Sequence, residues 1–191
     1  MLRAVVEKRA LTRIQGWVDS GRLFDVAFIL ACLGAWVGLM FLANGLTFFG
    51  DEWAIIQHVE DWSFAELMRP HNEHWSAGFK VVYKALAAVF GLETYVPYMA
   101  LTLLLHVAIA AAIYVYARRQ TAAVIALAMG VVFLLLGSGG EDLFMAMQIN
   151  FNGAAATGAW ALVILMREPL PRYAWLAALL LAVGVTFNGV G

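Results

Sequence analysis

The sequence predicts an all-α membrane protein, a polytopic helix bundle of about five transmembrane helices with a cytoplasmic N-terminus. Three observations carry that expectation. Hydrophobic residues fill 63% of the 191 positions and charged residues 13%, whereas a soluble domain is about half apolar and a quarter charged. The apolar residues gather in runs approaching the roughly 20 positions that a spanning helix needs. Lys and Arg collect on alternate connections between those runs. This balance excludes an ordinary soluble domain, a disordered chain and a nucleic-acid binder with a basic face. The single cysteine, Cys32, excludes an internal disulfide framework and a cysteine-built zinc site.

Taken in order, residues 1–23 form a basic segment with Leu2, Val5, Val6, Leu11, Ile14 and Trp17 set among charges. That pattern suits an interfacial helix near anionic lipid. The run 26–49 carries no charge and is too long for a signal-peptide core, so it is expected to be an uncleaved anchor. Residues 50–76 form a long polar outer loop. Residues 77–92 are apolar except for Lys80 and Lys84, one helical turn apart. They are expected to form an amphipathic helix on the outer surface, its ammonium groups kept in water. Further spans are expected at 98–116, interrupted only by His106, and at 121–136, 151–166 and 173–187. With the N-terminus inside, Arg3, Lys8, Arg9, Arg13, Arg22, Arg118, Arg119, Arg167 and Arg172 are all inside, nine of the twelve basic residues. A span at 77–92 would put Arg118 and Arg119 outside, which argues against it. The whole chain, 1–191, reads as one transmembrane domain.

This topology sorts the acidic residues. Asp51, Glu52, Glu60, Asp61, Glu66, Glu73, Glu93, Glu141 and Asp142 fall outside, with His58, His71 and His74. Asp51 and Glu52 follow directly on the first apolar run. A carboxylate there is partly desolvated and suits a general base or a divalent-cation ligand. The same pair also suits the start of a helix. In the run Pro70-His71-Asn72-Glu73-His74-Trp75 the two histidines are three apart, which lets them share a helix face and hold a metal, but the spacing is not that of a zinc protease. Hydrogen bonding to substrate hydroxyls or phosphate, or within the loop, fits it better. Glu141 and Asp142 follow a glycine-rich turn, and Gln148, Asn150 and Asn152 sit at the mouth of the fourth span, facing protein or ligand rather than lipid. His106 reads as a neutral histidine bonded to a neighbouring helix. The tripeptide Phe-Asn-Gly occurs at 151–153 and again at 187–189, too short a match to count as a repeat.

The order of these features resembles the N-terminal half of the GT-C superfamily of membrane glycosyltransferases, such as the protein O-mannosyltransferases and the lipid A aminoarabinose transferases. The features are a basic N-terminus, one span, an outer loop opening with Asp51-Glu52, the His71–His74 turn, an amphipathic helix ending in Phe90-Gly91-Leu92, and a span ending in Arg118-Arg119. Residues 141–153 also look like a segment of uncharacterised bacterial members. The resemblance implies a multi-pass protein of the bacterial inner (plasma) membrane that moves a sugar from a polyprenyl-phosphate donor to an acceptor at the outer face. It implies Asp51 or Glu52 as the catalytic carboxylate. His71, His74, Lys80, Lys84, Glu141, Asp142 and Gln148 are then expected to bind substrate. A divalent metal cation, with Asp51, Glu52 and His74 as candidate ligands, or the outer cations Arg69, Lys80 and Lys84, would offset the phosphate. Family members have many more spans, so the chain is expected to be the front part of a longer protein. The competing readings are a non-enzymatic subunit packed on partner membrane helices, or a transporter fragment. A transporter should carry its polar groups at the midplane, whereas here they collect outside.

Overall fold

The computed structural model describes residues 16, 20–59, 62–70, 74–135, 140–167 and 170–190. Among the described residues the protein is all-α apart from one two-residue strand pair. Its elements are α1 (Arg22–Leu42), α2 (Glu52–Ile56), α3 (Phe64–Met68), β1 (His74–Trp75), α4 (Ala77–Phe90), α5 (Val96–Gln120), α6 (Ala123–Leu134), α7 (Gly140–Phe144), α8 (Ile149–Leu165), α9 (Leu170–Phe187) and β2 (Gly189–Val190). A 3₁₀ turn, Ala146–Gln148, leads into α8. The expected basic segment 1–23 and the His71 turn lie largely outside the described residues.

Two helices, α1 and α5, are long and apolar enough to cross a membrane by length and composition. They are buried very differently. Only 6% of the most apolar stretch of α1 is covered by the protein, against 50% for α5. Helix α5 is the centre of the packing and touches α1, α6 and α8. Pro97 opens it where the missing N–H has no helical partner to lose. Arg118 and Arg119 close it, complementing the negative end of its dipole.

Hydrogen bonds from long side chains fix the helix directions. Trp36 Nε1 near the end of α1 donates to Ala100 O near the start of α5 (3.2 Å), and Arg118 at the end of α5 reaches Asp25 at the start of α1, so these two run antiparallel. Trp160 Nε1 donates to Ala108 O (3.0 Å) and Arg119 Nη1 to Val163 O (2.8 Å), which ties α8 parallel to α5. His106 Nε2 donates to Leu134 O (3.3 Å), and its ring stacks on Phe133, holding α6 back against α5.

Small residues let the remaining pairs close up, as in helix packing without a hydrophobic drive between helices. A Cβ at Gly130 would lie 2.5 Å from the Phe28 ring of α1, and one at Gly184 of α9 would lie 2.6 Å from Thr157 Oγ1 of α8. Cys32 packs beside the Phe28 and Tyr114 cluster. The chain thus passes from one end of the molecule to the other along α1, α5, α6, α8 and α9, and all its long connections meet at one end, termed the loop end below.

The first apolar run is not helical to residue 49. Helix α1 stops at Leu42, and Gly45, at a φ of 87°, turns the chain into an extended stretch. The reason is packing: Phe48 leaves the helix line to sit edge-on against Tyr95 and Tyr98, with centroids 4.8 and 5.0 Å away. The lysines of α4 also depart from expectation. Lys80 is only 7% exposed and lies on the face that α4 turns to the protein, with Phe79 and Tyr83.

Candidate functional site

The loop end is built around Glu52, whose side chain is 0% exposed. Gly50, at a φ of 59°, makes the turn that starts α2 and lets the Phe49 N–H reach forward to Glu52 Oε2 (3.1 Å). Three more donors converge from distant segments. Tyr83 of α4 donates its O–H to Oε1 (2.9 Å), Tyr95 shares its O–H between Oε2 (2.9 Å) and Oε1 (3.0 Å), and the Met147 N–H reaches Oε1 (2.9 Å). The Tyr95 oxygen in turn accepts the Ala146 N–H (2.7 Å). Four neutral donors therefore hold one carboxylate. Burial and then the adjacent carboxylate push the Tyr83 phenol far above its ordinary range; burial does the same for Tyr95, against a pull downward from the Ala146 N–H. Both phenols stay protonated donors.

Asp51 is treated differently. At 3.6 residues per turn, Glu52, Ile56 and Val59 share the buried face of the α2 turn, whereas Asp51 is exposed and falls on the face of Ala54 and His58. Ala54 and His58 of that second face line a cleft of about 240 Å³, closed by Trp62, Glu66, Arg69 and Lys80.

The cleft wall is a compact assembly. Ser63 and Glu66 form a capping box that starts α3. Lys80 Nζ caps its other end, donating to Glu66 O (3.1 Å) and Arg69 O (2.7 Å), and lies 5.9 Å from the centre of the Trp62 ring. Lys84 Nζ donates to Trp62 O (2.6 Å). The two ammonium groups, expected in water, instead pin residues 62–69 onto α4. Burial, then the charge of Arg69, push the Lys80 ammonium below its usual range, with Glu66 opposing.

The other sequence-derived candidates are spread around this centre. His74 lies in β1, with its ring 6.5 Å from that of Phe151. Gln148 is half-buried at the N-cap of α8. Glu141 and Asp142 belong to α7 by their backbone, and their side chains lie outside the described residues, as does His71. The chain thus brings the Glu52 turn and the segment after α7 into direct contact.

No family model, curated protein or solved structure matches the chain.

Among the described residues no three His, Cys, Asp or Glu side chains converge to hold a metal ion. Asp51, Glu52 and His74 do not fit a shared cation, because the oxygens of Glu52 are taken by four donors and Asp51 turns the other way. The exposed groups are the Asp51 carboxylate and, at the cleft, His58 and Arg69. Sequence reasoning missed the two tyrosines that complete the Glu52 cage. They lie 31 and 43 positions from it, and no local pattern marks them.

Proposed function

We propose that the chain is a polytopic inner-membrane protein crossed by α1, α5, α6, α8 and α9, and that its outward-facing loop end passes a sugar from a polyprenyl-phosphate donor to an acceptor hydroxyl. The reading is carried by one observation: the acidic pair is split, with Glu52 anchoring the turn from inside and Asp51 exposed one and two turns before Ala54 and His58, which line the cleft with Arg69 and Lys80. The membrane part is supported by α1. Ile29, Leu30, Leu33, Val37 and Phe41 all point away from the protein, and a helix apolar all round yet uncovered by protein fits lipid. It is also supported by Arg118, Arg119 and Arg167, which gather at the end away from the loops, as cytoplasmic residues do.

In this reading the acceptor oxygen attacks the anomeric carbon, its proton passes to the Asp51 carboxylate, and the bond to the phosphate oxygen breaks with its electron pair leaving on polyprenyl phosphate. Arg69 and Lys80 offset the phosphate charge, and Glu52 is a positioning residue. The test uses the purified chain in nanodiscs with polyprenyl-phosphate mannose or arabinose and an acceptor alcohol, reading released polyprenyl phosphate. Asp51→Asn is expected to lower release about 100-fold or more with the fold intact. Full release by that variant, or no release from either donor by the parent chain, rejects the reading.

One observation favours a second reading, a subunit docked on a partner helix. Gly34 and Gly38 of α1 have no heavy atom within 4 Å of where a side chain would begin, and they line an apolar groove of about 540 Å³ between α1 and α6. This spacing admits another helix at close range. Transfer by the purified chain alone would set that reading aside.

A further inference from the structure

The far end of the molecule, where α1 begins and α5 ends, carries a cavity apart from the Glu52 cage and the cleft. It holds about 400 Å³ between the two helices. Phe28 and Ile29 of α1 line it with Ala111 and Val115 of α5. Asp25, Arg118 and Arg119 line the part nearest the helix termini.

The spacing makes each wall continuous. Asp25, Phe28 and Ile29 are three or four apart, as are Ala111, Val115 and Arg118, so each set shares a helix face. Because α1 and α5 run antiparallel, the two walls change character in step. Charge stands where α1 starts and α5 stops, and apolar side chains follow toward the middle. From Arg118 back to Ala111 is about 10 Å of helix. The cavity therefore has the order of a lipid, an ionic head and then an apolar stem. Ile29 is 57% exposed, so the apolar part is open at the side of the molecule.

The charged part is held in place. Arg118 Nε donates to Asp25 Oδ1 (3.2 Å) and Nη2 to Ser20 O (3.2 Å). The Tyr114 hydroxyl donates to the same Asp25 oxygen. The Asp25 charge is thus answered within the protein and fixes the guanidinium at the cavity. Arg119 Nη1 donates to Val163 O (2.8 Å). Among the described residues, Arg118 Nη1 and Arg119 Nε and Nη2 have no hydrogen-bond partner. Two forks of N–H donors side by side suit a phosphate. Gly21, at a φ of 76°, lets the chain pass against Arg118, since a Cβ there would collide with Nη2. Arg118 also borders a second cavity of about 310 Å³, shared with Ser20 and Gly21 before α1 and Thr121 and Ala122 after α5. That cavity gives a headgroup room beyond the helix ends.

The surroundings have the matching charge. Among the described residues this end gathers Arg22, Arg118, Arg119, Arg167 and Arg172 against one carboxylate, Asp25. The Tyr173 ring lies 5.9 Å from the Arg167 guanidinium and 5.8 Å from that of Arg172, and Trp175 is 65% exposed. Arginines with Tyr and Trp at one end of a helix bundle fit the headgroup layer of a membrane.

We propose that the cavity binds one anionic phospholipid of the inner leaflet, with its phosphate on Arg118 and Arg119 and an acyl chain along Phe28, Ile29, Ala111 and Val115. A basic pocket between spanning helices on the cytoplasmic side suits such a headgroup. A free phosphate leaves the apolar wall unused, and a zwitterionic lipid brings its own cation to the guanidinium groups. The site rests on the membrane part of the reading above and is independent of the transfer chemistry.

The test is native mass spectrometry of the purified full chain in a neutral detergent, titrated with phosphatidylglycerol or with phosphatidylcholine of the same acyl chains. One phosphatidylglycerol is expected to bind about tenfold more tightly than phosphatidylcholine. Arg118→Gln with Arg119→Gln is expected to cut that preference to twofold or less. Ala111→Phe, which fills the apolar part and leaves every charge in place, is expected to weaken phosphatidylglycerol fivefold or more. Where Ala111→Phe lowers the Tm, Ile29→Trp at its exposed position serves instead. Arg167→Gln with Arg172→Gln, at the same end but outside the cavity, is expected to keep the preference. Equal binding of the two lipids, a preference unmoved by the Arg118 and Arg119 changes, an equal loss from the Arg167 and Arg172 changes, or displacement of the lipid by excess inorganic phosphate overturns the site. Release of the chain from membranes by an alkaline wash removes the membrane reading and the site with it. A chain retained in membranes without a lipid preference removes the site alone, and a lipid preference in a chain that transfers no sugar keeps the site and removes transfer.

Discussion

Two ends of the molecule solve the same problem, a carboxylate beside tyrosine, by different means. At the loop end Glu52 is fully buried and held by two phenols and two backbone N–H groups. At the far end Asp25 accepts from the Tyr114 hydroxyl and from Arg118 Nε (3.2 Å), and both charged side chains are substantially exposed, Asp25 at 42% and Arg118 at 29%. No cation is bonded to Glu52 among the described residues. The difference follows from water. A cation brought into a dry site must itself be stripped of solvent, a cost of several kcal/mol per ion. Neutral donors spread the negative charge without that cost, provided that they are already fixed. The buried site therefore demands a built frame from α2, α4, the start of α5 and the 3₁₀ turn, whereas the exposed one needs only two side chains near each other.

The comparison breaks if Glu52 proves dispensable. Glu52→Gln would place an amide against four donors and leave at least two of them unmatched, an expected loss of about 3 kcal/mol, read as a lower Tm by scanning fluorimetry in detergent. A Tm within error of the parent would show that the cage is not structural. Tyr95→Phe sharpens the picture, because that oxygen links Glu52 to the Ala146 N–H. About 2 kcal/mol is expected, and a double-mutant cycle with Glu52→Gln should show strong coupling. The smallest effect belongs to the far end. Asp25→Asn should cost under about 1 kcal/mol and less in high salt, and a loss matching that of Glu52→Gln would erase the distinction.

Much of the frame was readable from the chain, because long apolar runs leave few alternatives to helix. Helices α4, α5, α6, α8 and α9 begin and end within about four residues of the expected runs. The premature end of α1 was also marked, by Asn44-Gly45, which is a helix stop, but Leu46, Phe48 and Phe49 continue the hydropathy and hide it. The capping box at Ser63 and Glu66 had its local signature, and α3 went unread inside a loop treated as irregular. The position of Glu52 at the end of the first run was legible; its inward turn was not, since that depends on Tyr83, Tyr95 and Met147 arriving from elsewhere. The β1–β2 ribbon was beyond reach, as two-residue strands carry no periodicity.

That ribbon has a consequence for the order of events as the chain is made. His74 and Trp75 emerge early, and their partners Gly189 and Val190 belong to the last of the described elements. Closing a loop of such length is slow relative to local helix formation. The first connection must then wait, half-finished, until α9 is delivered, so the ribbon acts as a late clasp on the loop end.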